Sequence, residues 1–255
     1  MRTLTIAALA ALSVTAANAA DMPIKALPIA APNWTGPYVG GNIGAGWFDP
    51  SFTTDIPSFP ITPPKKPPVY TRDPLFGVSG GATAGIVGGV QGGYNWQFAP
   101  QWIAGIEGDF DVADFKSGAS VAPLVIGGSA TFNERVDWLA SLRGRVGYLW
   151  TPTLLLYGTG GAAWADINYS ATAQVTLSSS ATTSFSDVRS GWVAGAGAEW
   201  MWNPNIVLRA EYLFYSFAGR DVSVPLSPAI TATPVAFSWD RLSISVVRVG
   251  ASYKF

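Results

Sequence analysis

The sequence predicts an all-β fold: an eight-stranded antiparallel up-and-down transmembrane β-barrel with short periplasmic turns and long extracellular loops. Three observations lead there. Only 12% of the 255 residues are charged, about half the share usual in a soluble domain. Three breaks centred on Pro100, Pro152 and Pro204 recur at one spacing, each beside aromatic or apolar residues. Between the breaks, apolar and aromatic residues keep to one parity while polar and charged residues keep to the other. Past the first residues no apolar run approaches the roughly 20 needed for a membrane helix. A membrane strand needs only about ten alternating residues.

The elements follow in order. Arg2, the apolar run Leu4 to Val14 and Ala17-Asn18-Ala19 have the charge, length and small-residue site of a secretory signal peptide over 1–19. Residues 20–36, with Pro23, Pro28 and Pro32, predict an unstructured periplasmic leader, and 37–255 the barrel. The strands fall at about 37–48, 85–98, 101–113, 134–150, 153–169, 188–202, 205–219 and 238–255. Tight turns at the three prolines join them in pairs. Long polar interruptions at 49–84, 114–133, 170–187 and 220–237 supply the loops. The first is rich in proline (Pro57, Pro60, Pro63, Pro64, Pro67 and Pro68) and predicts an extended, mobile segment. A propeller would need about four strands per repeat, and only two fit here.

Parity assigns the faces. In 37–48, Val39, Ile43, Ala45 and Trp47 oppose Tyr38, Asn42 and Gly44. In 101–113, Trp102, Ile106 and Phe110 oppose Glu107 and Asp109; in 134–150, Val136, Trp138, Leu142, Val146 and Trp150 oppose Asp137, Arg143 and Arg145. Trp192 and Trp200 oppose Arg189 and Glu199, Tyr212 and Phe214 oppose Arg209 and Glu211, and Val247, Val249 and Tyr253 oppose Arg248. In 153–169 the pairs Leu154/Leu156 and Leu155/Tyr157 compete, and pattern alone leaves the lipid face open. An Arg facing lipid at mid-depth costs about 2–4 kcal/mol. The expected lumen network is therefore Glu107, Asp109, Glu199 and Glu211 with Arg143, Arg145, Arg209 and Arg248, four charges of each sign. Trp47, Trp102, Trp138, Trp150, Trp192, Trp200, Trp202, Tyr253 and Phe255 are the expected membrane-interface aromatics. A closed barrel must pair its last strand with its first, because an open edge in lipid strands unsatisfied backbone groups; the alternating final segment suits that role.

Composition narrows the function. Zero Cys excludes disulfides and thiolate metal sites, and zero His removes the commonest neutral-pH base and metal ligand. No cofactor or metal is expected. Removing Arg2 with the signal leaves 14 Lys and Arg against 16 Asp and Glu, which gives no reason to expect a nucleic-acid partner. Ser190, Asp187 and Ser216 near strand ends suggest acyl chemistry only weakly, since no base accompanies them; rim hydrogen bonding is the plainer role.

The segments Trp34-Thr35-Gly36-Pro37-Tyr38-Val39-Gly40-Gly41, Gly92-Gly93-Tyr94-Asn95-Trp96, Ile106-Glu107-Gly108-Asp109, Arg143-Gly144-Arg145-Val146-Gly147-Tyr148 and Gly250-Ala251-Ser252-Tyr253-Lys254-Phe255 resemble the small outer-membrane immunogenic proteins of alphaproteobacteria, within the OmpA-like eight-stranded barrels. The final Phe also resembles the assembly signal of bacterial outer-membrane proteins. That resemblance implies the outer membrane of a Gram-negative bacterium. It further implies contact with outer-membrane lipids and lipopolysaccharide, and periplasmic chaperones and the insertion machinery as assembly partners. It implies no shared catalytic motif. Members act as surface antigens, envelope-stabilising proteins and, in some cases, porins or haem binders; here haem would need a Tyr ligand. Two functions stand: a structural, surface-displayed barrel that is not an enzyme, and a narrow general-diffusion porin. Interdigitated lumen charges would plug the channel and separated ones would line it, and parity does not distinguish them.

Overall fold

The computed structural model describes residues 32–48, 51–57, 72–79, 83–121, 129–176, 179–224, 235–239 and 241–255. The signal segment 1–19 and most of the leader lie outside these residues. Twelve strands form among them: β1 (Gly36–Phe48), β2 (Ser51–Pro57), β3 (Arg72–Ser79), β4 (Thr83–Ala99), β5 (Trp102–Val121), β6 (Ser129–Thr151), β7 (Leu154–Thr176), β8 (Ser179–Asn203), β9 (Ile206–Phe217), β10 (Arg220–Val224), β11 (Val235–Trp239) and β12 (Leu242–Lys254). The antiparallel order β1-β12-β9-β8-β7-β6-β5-β4 closes on itself through β1, which pairs with both β12 and β4.

The remaining strands form a second sheet in the order β10-β11-β2-β3. β2 and β3 arise within the interruption 49–84 and β10 within 220–237, while β11 runs on to Trp239, so the last ring strand begins at Leu242 rather than at 238. The expectation of a purely extended, mobile first interruption is corrected at its flanks by β2 and β3, while the proline-rich tract 58–71 lies outside the described residues. The interruptions 114–133 and 170–187 are corrected too. β5, β6, β7 and β8 run through most of them, reaching 20, 23, 23 and 25 residues. These lengths are about twice the 9–11 residues that a bilayer-spanning strand needs.

The proline repeat makes the turns at Pro100–Gln101, Pro152–Thr153 and Pro204–Asn205. The carbonyls of Gln101, Thr153 and Asn205 accept from the amides of Leu149, Met201 and Lys254 on the next strand pair, at 2.8, 2.9 and 2.7 Å. Each turn is thereby stitched to the neighbouring strand. Just before β1, Trp34 is fully buried. Its indole nitrogen donates to the Pro152 carbonyl at 3.0 Å, and its amide donates to Gln97.

Alternation along the strands sends one parity inward. β7 resolves its ambiguity by burying Leu155 and Tyr157 and exposing Leu156. One assignment is corrected. A β-bulge between Val136 and Trp138 adds a residue to β6, and a one-residue shift moves every side chain beyond it to the other face. Val136 is therefore fully buried, and Asp137 takes the outer side, where it binds Arg135 at 2.6 Å.

Candidate functional site

The interior is layered. At the turn end Trp34, Ile103, Leu149, Leu155, Tyr157, Met201 and Val207 pack into an apolar floor. At the loop end a larger apolar cluster, including Phe48, Phe115, Phe132, Val136, Tyr215 and Phe217, fills the ring. Between them lie the charges, so the expected lumen network occupies a polar slab between two apolar layers rather than the whole interior. Ile103, Leu149, Phe115 and Phe217 share strand parity with the charged residues, whereas Phe132 and Val136 join the interior only through the β6 bulge and Trp34 enters it from ahead of β1.

The structure buries all eight expected residues: Glu107, Asp109, Arg143, Arg145, Glu199, Arg209, Glu211 and Arg248. It brings them into one connected set. Arg143 reaches Glu107 at 2.5 Å, Asp109 at 2.8 Å and Glu211 at 2.9 Å. Arg209 bridges Glu107 and Glu199 at 2.5 and 2.6 Å, and Arg145 holds Glu199 at 2.8 Å. Arg248 binds Glu211 at 2.8 Å and Asp111 at 2.6 Å. Asp111, on the same parity as Glu107 and Asp109, is a fifth carboxylate that the sequence reading passed over. The two signs alternate in space rather than occupying opposite walls.

Neutral groups complete the slab. Tyr38 donates to Glu107 at 2.5 Å and accepts from Arg145 at 3.0 Å; Tyr157 donates to Glu211 at 2.9 Å. The Arg145 guanidinium also stacks over the Tyr157 ring at 4.1 Å, a favourable cation–π placement. Ser141 donates to Asp109 at 2.7 Å.

Backbone space for the long side chains comes from glycine. Across the ladders Arg143 faces Gly161, Arg145 faces Gly105, Arg248 faces Gly44 and Arg209 faces Gly250. Glu107 and Glu211 likewise face Gly93 and Gly197. A Cβ at Gly161 would run into the Leu142 carbonyl and the Arg143 Cα. These inward glycines are the counterpart of the charges, a pairing visible only once the register is known.

The expected interface aromatics mostly point outward. Trp47, Trp102, Trp150, Trp192, Trp200, Trp202, Tyr253 and Phe255 are exposed, while Trp138 is half-buried and stacks on Phe110 at 5.6 Å between ring centroids. Ser190 and Ser216 both take the outer parity, Ser216 directly across the ladder from Trp192, while Asp187 takes the parity of the buried Arg189, so the structure does not bring the three together as an acyl-transfer site. Among the described residues no cluster of His, Cys, Asp or Glu is disposed to hold a metal ion.

Comparison with known proteins agrees with this architecture. The family described as "Outer membrane protein beta-barrel domain" matches residues 6–255. The 31 kDa outer-membrane immunogenic protein of Brucella melitensis is 32% identical over 262 residues, covering 100% of both chains. The 25 kDa outer-membrane immunogenic protein of Brucella canis is 29% identical, covering 98% of this chain and 95% of its own. Among solved structures, the outer membrane protein OprG of Pseudomonas aeruginosa is 15% identical with a TM-score of 0.48, covering 88% of this chain and 98% of that one.

Proposed function

The chain belongs to the outer-membrane β-barrel protein family, and from that premise we propose an eight-stranded up-and-down transmembrane barrel whose lumen is closed to ions. It is a non-catalytic, structural protein of the Gram-negative outer membrane. In this reading the proline turns face the periplasm and the long connections face outside. The apolar outer wall meets lipid, the exposed aromatics sit at the two interfaces, and chaperones and the insertion machinery assemble the chain.

The observation that carries the closed lumen is the interdigitated ion slab held between two apolar layers. An eight-stranded ring leaves an interior only wide enough for side chains. Every arginine of the slab touches at least two carboxylates, leaving no separated charges to focus a permeating ion. Its role is therefore to brace the barrel wall. Planar-bilayer recordings of the purified, refolded protein test this. No stable conductance above the bare membrane is expected; discrete, reproducible steps would replace this reading with the narrow porin.

A further inference from the structure

Beyond its aromatic belt the outer wall of β5–β8 does not simply become irregular. Cross-strand register arranges it in rows. Lys116, Arg135, Asn168 and Ser186 face one another in a single row across four strands. The next row outward sets Asn133 beside Ser170 and Ser184, with Asn133 donating to Ser170 at 3.4 Å. A third row is all hydroxyl: Ser120, Thr131, Thr172 and Thr182. Arg135, Asn168 and Ser186 of the first row and Asn133, Ser170 and Ser184 of the second line a shallow depression of about 320 Å³, with Lys116 across the ladder from Arg135.

We infer that this face seats the phosphorylated sugar headgroup of an outer-leaflet glycolipid. The inference rests on the outer-membrane barrel reading and goes beyond it by naming a site. Three features carry it. First, the face continues the lipid-facing wall: Arg135 lies on the outer side three residues past Trp138, which stacks on Phe110 at the edge of the apolar band. Second, Lys116 and Arg135 are direct cross-strand partners with side chains 61% and 53% exposed. Asp114 holds Lys116 at 2.8 Å and also lies 3.9 Å from Arg135, which Asp137 orients at 2.6 Å; each cation keeps further N–H donors for a phosphate. Third, the amide and hydroxyl rows extend the polar face outward by about 7 Å per row. A glycerophospholipid headgroup would reach only the cation row. A glycolipid places phosphate at that row and sugar hydroxyls against the amides and hydroxyls beyond it.

Native mass spectrometry of the folded protein in detergent tests the site, with purified lipopolysaccharide, its dephosphorylated form, phosphatidylglycerol and inorganic phosphate as probes. Wild type is expected to retain lipopolysaccharide over the other three. The variant combining Lys116→Ala and Arg135→Ala should lose about tenfold in retention, the scale of one or two charge-assisted hydrogen bonds. The variant combining Asn133→Ala, Ser170→Ala and Ser184→Ala should weaken lipopolysaccharide but leave phosphatidylglycerol unchanged. Equal retention by wild type and both variants would overturn the site, as would equal competition by phosphatidylglycerol. The substituted positions are exposed except for the half-buried Ser170, and the heat-sensitive mobility of the folded band on gels checks both variants. A wild-type chain that never gives that band would sink the barrel reading itself, a result distinct from a folded barrel that ignores the glycolipid.

Discussion

Arg143 shows what a single side chain contributes to this barrel. Its guanidinium joins Glu107 and Asp109 on β5 to Glu211 on β9, across the full width of the lumen. Replacing it with Leu leaves three carboxylates short of a donor in a site with no side-chain exposure. Breaking a buried ion pair from one side costs about 3–5 kcal/mol. The Arg143→Leu barrel should therefore lose its folded gel mobility at a lower temperature than wild type; an identical melting curve would mean that the slab does not brace the wall. The glycine opposite makes a complementary case. Gly161→Val forces a side chain into the Arg143 backbone, and overpacking of this kind costs about 1–3 kcal/mol or more. Gly160→Val is the control, since a Cβ there meets only the Val193 carbonyl at an ordinary 3.5 Å on the outer face. Refolding yield should fall for the first and hold for the second.

Among the elements, β6 carries most of the difference between pattern and structure. Below its bulge the charge parity read from the sequence holds, because Arg143 and Arg145 stand against an outward row of Leu142, Val146 and Trp150 and only lipid on one side demands that contrast. At the bulge Val136 and Trp138 share sequence parity yet face opposite ways, and no periodicity marks an inserted residue. Beyond it the outer face meets a polar environment, so strand and loop compositions converge and the extensions of β5–β8 read as interruptions. Trp34 was illegible for another reason: it precedes β1 and belongs to no alternation. Asp111 was readable by parity alone. The extension of β6 also holds a titrating group. Glu134, four residues past Trp138 and, in the proposed barrel, beyond the membrane band, is 4% exposed. Burial pushes its carboxyl from the ordinary 4.5 up to about 7, with Arg189 opposing the shift. A carboxyl raised in the folded state favours folding when protonated, so its contribution is greatest below about 4.5 and declines as pH rises through about 7. The span is at most about 3 kcal/mol. Amide hydrogen exchange over 129–135, corrected for intrinsic rates, should be slower at pH 5 than at pH 8, and Glu134→Gln should remove the difference. Equal protection in wild type at both pH values would show that the loop-end cluster does not sense this proton.

For the whole molecule, the layering converts a membrane cylinder into a solid. Lipid requires the outer face to be apolar, which leaves the polar residues of each strand nowhere to go but inward. Ordinarily that yields a wet lumen. Here the inward parity turns apolar again at both ends, at Ile103, Leu149 and Leu155 below and Phe48, Phe115 and Phe217 above, so the charges pair with one another rather than with bulk water. Such a slab should be indifferent to dissolved salt. Raising the ionic strength from about 0.1 to about 1 M shortens the screening length from about 10 to about 3 Å, enough to weaken charges that mobile ions can approach. The thermal unfolding midpoint of the folded barrel should therefore stay constant across that range in wild type. In a variant carrying Trp34→Ala together with Phe115→Ala, which thins both apolar layers, it should fall progressively with added salt. A salt-dependent midpoint in wild type would mean that ions already reach Arg143 and Glu107, and the closed lumen would have to be abandoned for a wetted one.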